Sequence, residues 1–355
     1  VNYASYLGLD GLLSSQRLAT GQDGRAAAHD EMLFIIVHQT YELWFKQVLH
    51  EVVLLQRIFG QERIPDRDLG QAVHTLTRIV AILKHLTHQV EILETMTPMD
   101  FLEFRDLLRP ASGFQSTQFR LIETRLGLPR GARQSYDGRP FDAHLDEAGR
   151  AALLAAEAEP ALFAGVEAWL ARMPFLDSRG FDFGKALLAT FVESEERIAR
   201  QPGVTEAEAA AQRATLDRHR HVLKALLDDE IFSYVQPEQK WRMRRLALEG
   251  ALFIFLYRDM PLLQQPFRTL SLLMDIDEQL ALWRTRHATM VSRMIGDKAG
   301  TGGSSGARYL HSTVHAHRVF ADLFGISTFL LPKSMLPKLP PEMEQAMSFP
   351  SGPAA

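Results

Sequence analysis

The chain contains no cysteine. That single absence excludes disulfides, thiolate metal sites, iron–sulfur clusters, cysteine nucleophiles and a thiolate-ligated haem. It has no run of about 18 apolar residues, so no segment reads as a membrane span. Neither sign of charge dominates. Thirty-nine Lys and Arg stand against 43 Asp and Glu, a net charge of -4, which gives no basic field for nucleic acid or an anionic membrane. No secretory signal pattern is visible, and a cytoplasmic protein is expected. The GxSxG, Walker and HExxH motifs are missing, as are the repeated Glu-x-x-His pairs of a di-iron bundle. Alternating strand patterns are scarce. One candidate, "STFLLP" at 327–332, is too short to define a sheet.

What is present is helical periodicity. Over 355 residues, 46% apolar and 23% charged, the composition is that of a globular protein able to bury a large core. From Asp30 to Phe59, Leu33, Val37, Trp44, Val48, Val52, Leu55 and Phe59 recur at three-, four- and seven-residue spacings. Residues 71–96 repeat the habit with Leu76, Val80, Leu83, Leu86, Val90 and Leu93. Further helical stretches are expected at 98–109, 151–173, 205–228, 238–258, 267–295 and 307–323. Residues 127–149 are rich in Pro, Gly and Arg and read as a surface loop. Residues 201–218 read as a solvated helix. The expectation is an all-α assembly, with 127–240 a more polar helical excursion from one core.

Two histidines sit on apolar helical stripes. Phe34 precedes His38 by four residues, and Phe45 follows it by seven, so the three share a face. Glu42, four residues on, is placed to orient His38. A core histidine bonded to Glu42 or to a carbonyl fits the same pattern. His287 has Leu280, Trp283, Met290 and Met294 at i−7, i−4, i+3 and i+7. A neutral imidazole in such an apolar, polarizable wall is what a proximal haem ligand needs. The stripe equally describes a buried core. The pair His311 and His315 in "HSTVHAH" has a spacing that can grip zinc, but no Glu lies between them to act as base, and a solvated helix face explains them. "HLTH" at 85–88 reads the same way.

Two further features suit a polar ligand. In "MDFLEFRDLLRPASGFQS", Phe101, Arg105 and Leu108 share a helical face, and Ser112 follows the break at Pro110. An Arg at the edge of an aromatic stripe suits bidentate capture of a carboxylate. A surface Arg paired with Asp106 or Glu103 is the alternative. The run "GTGGSSG" at 300–306 lacks the Lys-Ser/Thr ending of a P-loop. Its glycines and the Thr301 hydroxyl would still allow close approach to a small polar ligand.

Four blocks, "HDEMLFIIVHQTYELWFKQ" (29–47), "DFLEFRDLLRPASGFQSTQFRLIE" (100–123), "MDIDEQLALWRTRHATMVSRMIGDKAGTGGSSGARYLHST" (274–313) and "VFADLFGISTFLLP" (319–332), closely resemble the tryptophan 2,3-dioxygenase family. The resemblance runs from Tyr3 to about Pro340, and 127–240 looks like the longer version of that region found in some members. It implies an all-helical haem domain across the chain, assembled as a homotetramer. Haem b, ferrous for activity, is the implied cofactor. The implied reaction opens the indole ring of L-tryptophan with O2 to give N-formyl-L-kynurenine, the first step of tryptophan degradation by the kynurenine pathway.

The resemblance also implies roles. His287 matches the proximal iron ligand, with glycine loop and ligand both in the 241–340 region. His38 matches the distal histidine that accepts a hydrogen bond from the indole N–H. Arg105 matches the carboxylate clamp, and Thr301 the contact to the substrate's charged end. Phe34, Phe101, Leu108 and Ser112 match pocket and haem-edge positions. Phe101 is tyrosine in some members, so a ring-hydroxyl contact is lost here. Tyr3 and Tyr6, in the segment 1–28, match tyrosines lent to the pocket of a neighbouring subunit. "HSTVHAH" is not a family signature, so its histidines read as incidental. Two rival functions are a related haem enzyme oxygenating a different indole and a haem sensor without turnover. Retention of Arg105 and Thr301 speaks against the first, and the filled distal and substrate positions against the second.

Overall fold

A computed structural model describes all residues except 23, 25, 134–139, 179, 200–204, 297, 299–316 and 350–355. Among the described residues the elements are almost all helices, as the periodicity predicts. They form two compact units. The first comprises 1–56, 77–161 and 276–319, and the second 57–76, 162–275 and 320–355.

The first unit opens with two short exposed helices, α1 (Tyr3–Leu7) and α2 (Leu9–Leu13), divided by Gly8 at a positive φ of 63°. Most of two long helices follows, α3 (His29–Phe59) up to Gln56 and α4 (Asp66–Leu93) from Thr77; the first turns of both carry two acidic residues each, favourable against the helix dipole. Val48, Val52 and Leu55 of α3 are almost wholly buried. Each such side chain contributes about 1.5–3 kcal/mol of transfer free energy. Between α4 and α3, Gln89 Nε2 donates to the Val37 carbonyl at 3.1 Å, and the Tyr41 hydroxyl donates to the Leu86 carbonyl at 2.7 Å. Helix α5 (Pro98–Arg105) starts from a reciprocal cap between Thr97 and Asp100, with Pro98 in the first turn where its missing N–H is harmless. Helix α6 (Thr117–Leu126) is capped by Ser116 and stopped by Gly127 at a φ of 111°. Helix α7 (Glu147–Ala158) packs against α6. A core cluster joins Val37, Val90, Leu93, Met96, Phe104, Met290, Met294 and Ile295.

The second unit contains α8 (Leu162–Leu170), α9 (Phe183–Ala199), α10 (Glu206–Ala225), α11 (Asp229–Gln239) and α12 (Arg245–Leu256), with the first part of α13 (Gln264–Ile295). Phe183 meets Phe253 edge-on, their centroids 5.1 Å apart. Helices α8 and α12 approach so closely at Gly250 that a Cβ there would stand 2.4 Å from the Leu170 carbonyl oxygen. The two strands, β1 (Asp177–Ser178) and β2 (Phe181–Asp182), make one antiparallel hairpin, pairing Asp177 with Asp182 and Ser178 with Phe181.

Several expected spans differ in detail. The stretch 151–173 is two helices, because Pro160 has no N–H and holds Glu159 extended at a ψ of 147°. The stretch 238–258 is helical only to Gln239 and again from Arg245. Between them the buried Asp322 carboxylate accepts the N–H groups of Arg242 and Met243, at 2.8 and 2.6 Å, and so holds those residues out of a helix. The strand candidate at 327–332 begins as a 3-10 turn, Ile326–Phe329, in which the Ser327 hydroxyl donates to the Phe324 carbonyl. Helices α1, α2, α6 and α9, and α11 before residue 238, lie outside the expected stretches. Within 307–323, residues 307–316 lie outside the described residues, and the helix seen is Ala321–Gly325.

Candidate active site

Within the first unit lies a cavity of about 330 Å³, inside the range of about 300–1,000 Å³ typical of small-molecule sites. Helix α3 lines it with Phe34, His38, Tyr41, Glu42 and Phe45, a single stripe at helical spacing. Helix α13 supplies Trp283, Arg284, His287, Met290, Val291, Met294 and Ile295. Phe101 and Arg105 enter from α5, Ser112 to Ser116 from the following turn, and Phe119, Arg120 and Glu123 from α6. Val90, Leu93 and Met96 complete an apolar wall.

His38 does not bond to Glu42. Its Nδ1 lies 2.7 Å from the Phe34 carbonyl oxygen, one turn back. A carbonyl only accepts, so Nδ1 carries the proton and Nε2 of the neutral ring keeps its lone pair. Enclosure by protein pushes the His38 pKa down, outweighing the Phe34 hydrogen bond and the Glu42 charge, so the ring stays neutral near neutral pH. The ring is nonetheless accessible, because it lines the cavity. Phe34 packs against it at 4.0 Å between centroids. Glu42 is used elsewhere: Ser116 Oγ donates to one oxygen at 2.6 Å and Gln118 Nε2 to the other at 2.8 Å.

His287 lines the same cavity from α13 and stacks on Trp283, with centroids 5.3 Å apart and planes within 4°. Burial, with a smaller contribution from His38, pushes its pKa down to about 4. It is therefore neutral at physiological pH and has a lone pair to give a metal. Its Nδ1 is buried without a hydrogen-bond partner. Among the described residues no cluster of three or more His, Asp or Glu could hold a bare metal ion. A single neutral imidazole against a wall of Val, Leu, Ile and Met suits a metal carried in a flat apolar macrocycle. The residues present thus fit a haem.

Arg105 is only 5% exposed and lines the cavity, so it is no surface residue; Asp106 faces Arg109 at 3.5 Å instead. Phe101 stacks on Phe34 at 5.7 Å. Ser112 lines the cavity as the cap of the turn Gly113–Gln115. Leu108 packs against the core cluster beside the cavity without lining it. Tyr3 and Tyr6 are exposed on α1, away from the lining. Thr301, His311 and His315 lie outside the described residues.

Phe119, Arg120, Glu123, Arg284 and His317, which no motif in the sequence singles out as site residues, also line the cavity. His317 belongs to "HSTVHAH" and is not incidental: it is 3% exposed, and its Nδ1 lies 3.2 Å from Glu123 Oε1. One signal was available. Arg120 and Glu123 stand at i, i+3 in α6, the spacing of an ion pair, next to the apolar stripe of Phe119, Ile122 and Leu126.

The sequence model of the family described as Tryptophan 2,3-dioxygenase matches residues 1–330. The chain belongs to the tryptophan 2,3-dioxygenase family. Relatives of that name span nearly the whole chain. One from Bdellovibrio bacteriovorus is 44% identical over 98% of both chains. One from Dictyostelium discoideum is 43% identical over 98% of this chain and 88% of its own. One from Mus musculus is 42% identical over 96% of this chain and 84% of its own. In this family member, the two histidines and the buried arginine come from three helices and meet at one cavity.

Proposed function

We propose that this cavity carries the family's reaction. The protein is a tryptophan 2,3-dioxygenase: both atoms of O2 enter L-tryptophan across the indole C2–C3 bond to give N-formyl-L-kynurenine. The observation that carries the site is the convergence of two neutral imidazoles, His38 and His287, with a buried guanidinium on one cavity. His287 is the residue that would hold haem b through its iron. When bound, ferrous haem supplies the binding and activation of O2.

The chain's own residues supply position. Arg105 pairs with the substrate carboxylate, a charge-assisted contact strengthened by its burial. His38 Nε2 accepts the indole N–H, while the Nδ1 bond to Phe34 locks the ring's tautomer and direction. The indole N–H is weakly acidic, so this hydrogen bond orients the ring without having to remove the proton. Phe34 and Phe101 give the indole an aromatic wall and keep water from it. Holding both reactants in register is the main catalytic contribution of such a site. Thr301 serves the ammonium and carboxylate end. Tyr3 and Tyr6 serve the cavity of a neighbouring subunit in a homotetramer, a reading supported by their exposure of 76% and 78% on a helix with no buried residue.

The test is an absorption spectrum of the purified protein, ferric and then dithionite-reduced, with tryptophan and air added and product followed as N-formylkynurenine. His287→Ala is expected to lose haem and activity together. A variant with full haem and an unchanged spectrum would show that another residue holds the iron.

A further inference from the structure

Besides Arg105 on α5, the cavity lining includes two further buried arginines, Arg120 on α6 and Arg284 on α13. Glu123, 2% exposed, accepts from Arg284 Nη2 at 2.9 Å on one oxygen and from Arg120 Nη1 at 3.0 Å on the other. His317 Nδ1 shares the first oxygen, and the His317 carbonyl accepts from Arg284 Nη1 at 3.2 Å. Arg284 and Arg120 are 4% and 6% exposed. Arg133 is equally buried and within reach of Glu123's charge; among the described residues it donates to the neutral Thr124 hydroxyl and Leu128 carbonyl. Glu157, also within reach of Arg133, is paired with Arg130.

Among the described residues, two buried guanidiniums therefore bond one buried carboxylate, and a third lies within reach of its charge without a carboxylate of its own. Excess charge in a low-dielectric interior is costly unless a counter-ion arrives. Four polar atoms of this cluster, Arg120 Nε, His317 Nε2 and Arg133 Nε and Nη1, are buried without partners, and Arg120 and His317 line the cavity. Arg120 gives Glu123 a single nitrogen, so its guanidinium keeps donors to spare.

We propose that Arg120 and Arg284, backed by Glu123 and His317, form a carboxylate-binding end of the cavity that receives the acidic edge of the haem, leaving Arg105 to the amino-acid substrate. The assignment rests on the haem reading above. Glu123 acts as the positioning residue: it holds both guanidiniums in a fixed spread, so an incoming carboxylate meets donors already ordered. The shared chemistry is carboxylate recognition, and its two sources, porphyrin and amino acid, are separable.

The experiment titrates the apo form of the full chain with haem and with haem dimethyl ester, the same macrocycle without its negative charges. Affinity is read from the absorption change, not from turnover. Loss of charge-assisted bonds predicts that the unaltered protein prefers the free acid by about 10- to 100-fold. Arg120→Met should shrink that preference to a few-fold, whereas Arg105→Met should leave it intact. Equal affinity for acid and ester in the unaltered protein overturns the proposal while leaving haem binding standing, and needs no variant to fold. A preference erased by Arg105→Met and kept by Arg120→Met assigns the acidic edge to Arg105 and also overturns it. If neither compound binds, the haem reading itself fails and this assignment with it.

Discussion

His38 Nδ1 is hydrogen-bonded at 2.7 Å to the carbonyl oxygen of Phe34, the residue whose ring also packs against it. One turn of helix thus fixes the tautomer of a histidine and builds the wall beside it. Because the bond uses the backbone, removing the Phe34 side chain leaves the tautomer unchanged. Replacing His38 by Ala removes one acceptor and leaves His287 untouched. His38→Ala is expected to retain its haem spectrum and to turn over more slowly, by about tenfold on the scale of one hydrogen bond. Complete inactivity with tryptophan still bound in its normal pose would make His38 an obligatory base.

Arg105 is buried, so losing it removes a desolvated charge contact. Truncating such a partner costs about 2–5 kcal/mol. Arg105→Leu should lower kcat/KM for tryptophan by at least about tenfold, with the haem spectrum unchanged. A near-normal kcat/KM would take the carboxylate role away from this residue.

Glu249 gives the second unit a pH dependence. Burial pushes its carboxyl up to about 7, against the opposing pull of Arg245, which donates to it at 3.0 Å. The folded protein therefore binds a proton more tightly than the unfolded chain, and stability from this group falls as pH rises from about 4.5 to 7. Denaturant midpoints of wild type and Glu249→Gln at pH 5 and pH 8 measure it. The wild type should lose stability relative to the variant at the higher pH, and parallel profiles would clear Glu249 of responsibility.

Two glycines make a paired test of packing. At Gly250 a Cβ would strike the Leu170 carbonyl at 2.4 Å, whereas at Gly70, in α4, it would meet nothing within 4 Å. Gly250→Ala should destabilise by about 1–3 kcal/mol through forced backbone movement. Gly70→Ala should stabilise by up to about 1 kcal/mol through helix propensity. Thermal denaturation of the two variants should shift in opposite directions.

The sequence made α3, α4 and α13 legible because their apolar residues recur at helical spacing over many turns, and that periodicity survives any choice of tertiary contact. It also put Phe34, His38, Trp283 and His287 on the correct faces. It misjudged the break at Pro160, where Ala- and Leu-rich sequence on both sides masks the boundary. Expected orientation of His38 by Glu42 failed for a different reason. The true partners of Glu42, Ser116 and Gln118, lie 74 and 76 residues away, beyond any local pattern. His317 was opaque in the same way, with Glu123 194 residues distant. Long helices report which face is inward; they do not report which charges from elsewhere will meet there.

The buried Glu31, seven residues before His38, accepts the N–H groups of Ala19 and Thr20, at 2.6 and 3.0 Å, and the Thr20 hydroxyl. Glu31 is thus one peg for the chain's first residues, and Gln39, which accepts from Gln16 Nε2 at 2.7 Å, is a second. Tyr6 is fourteen residues from Thr20, so even a fully drawn-out chain lets it travel at most about 45–50 Å from that point. Any second cavity that borrows this tyrosine must open within that radius, which turns a question of assembly into one of distance.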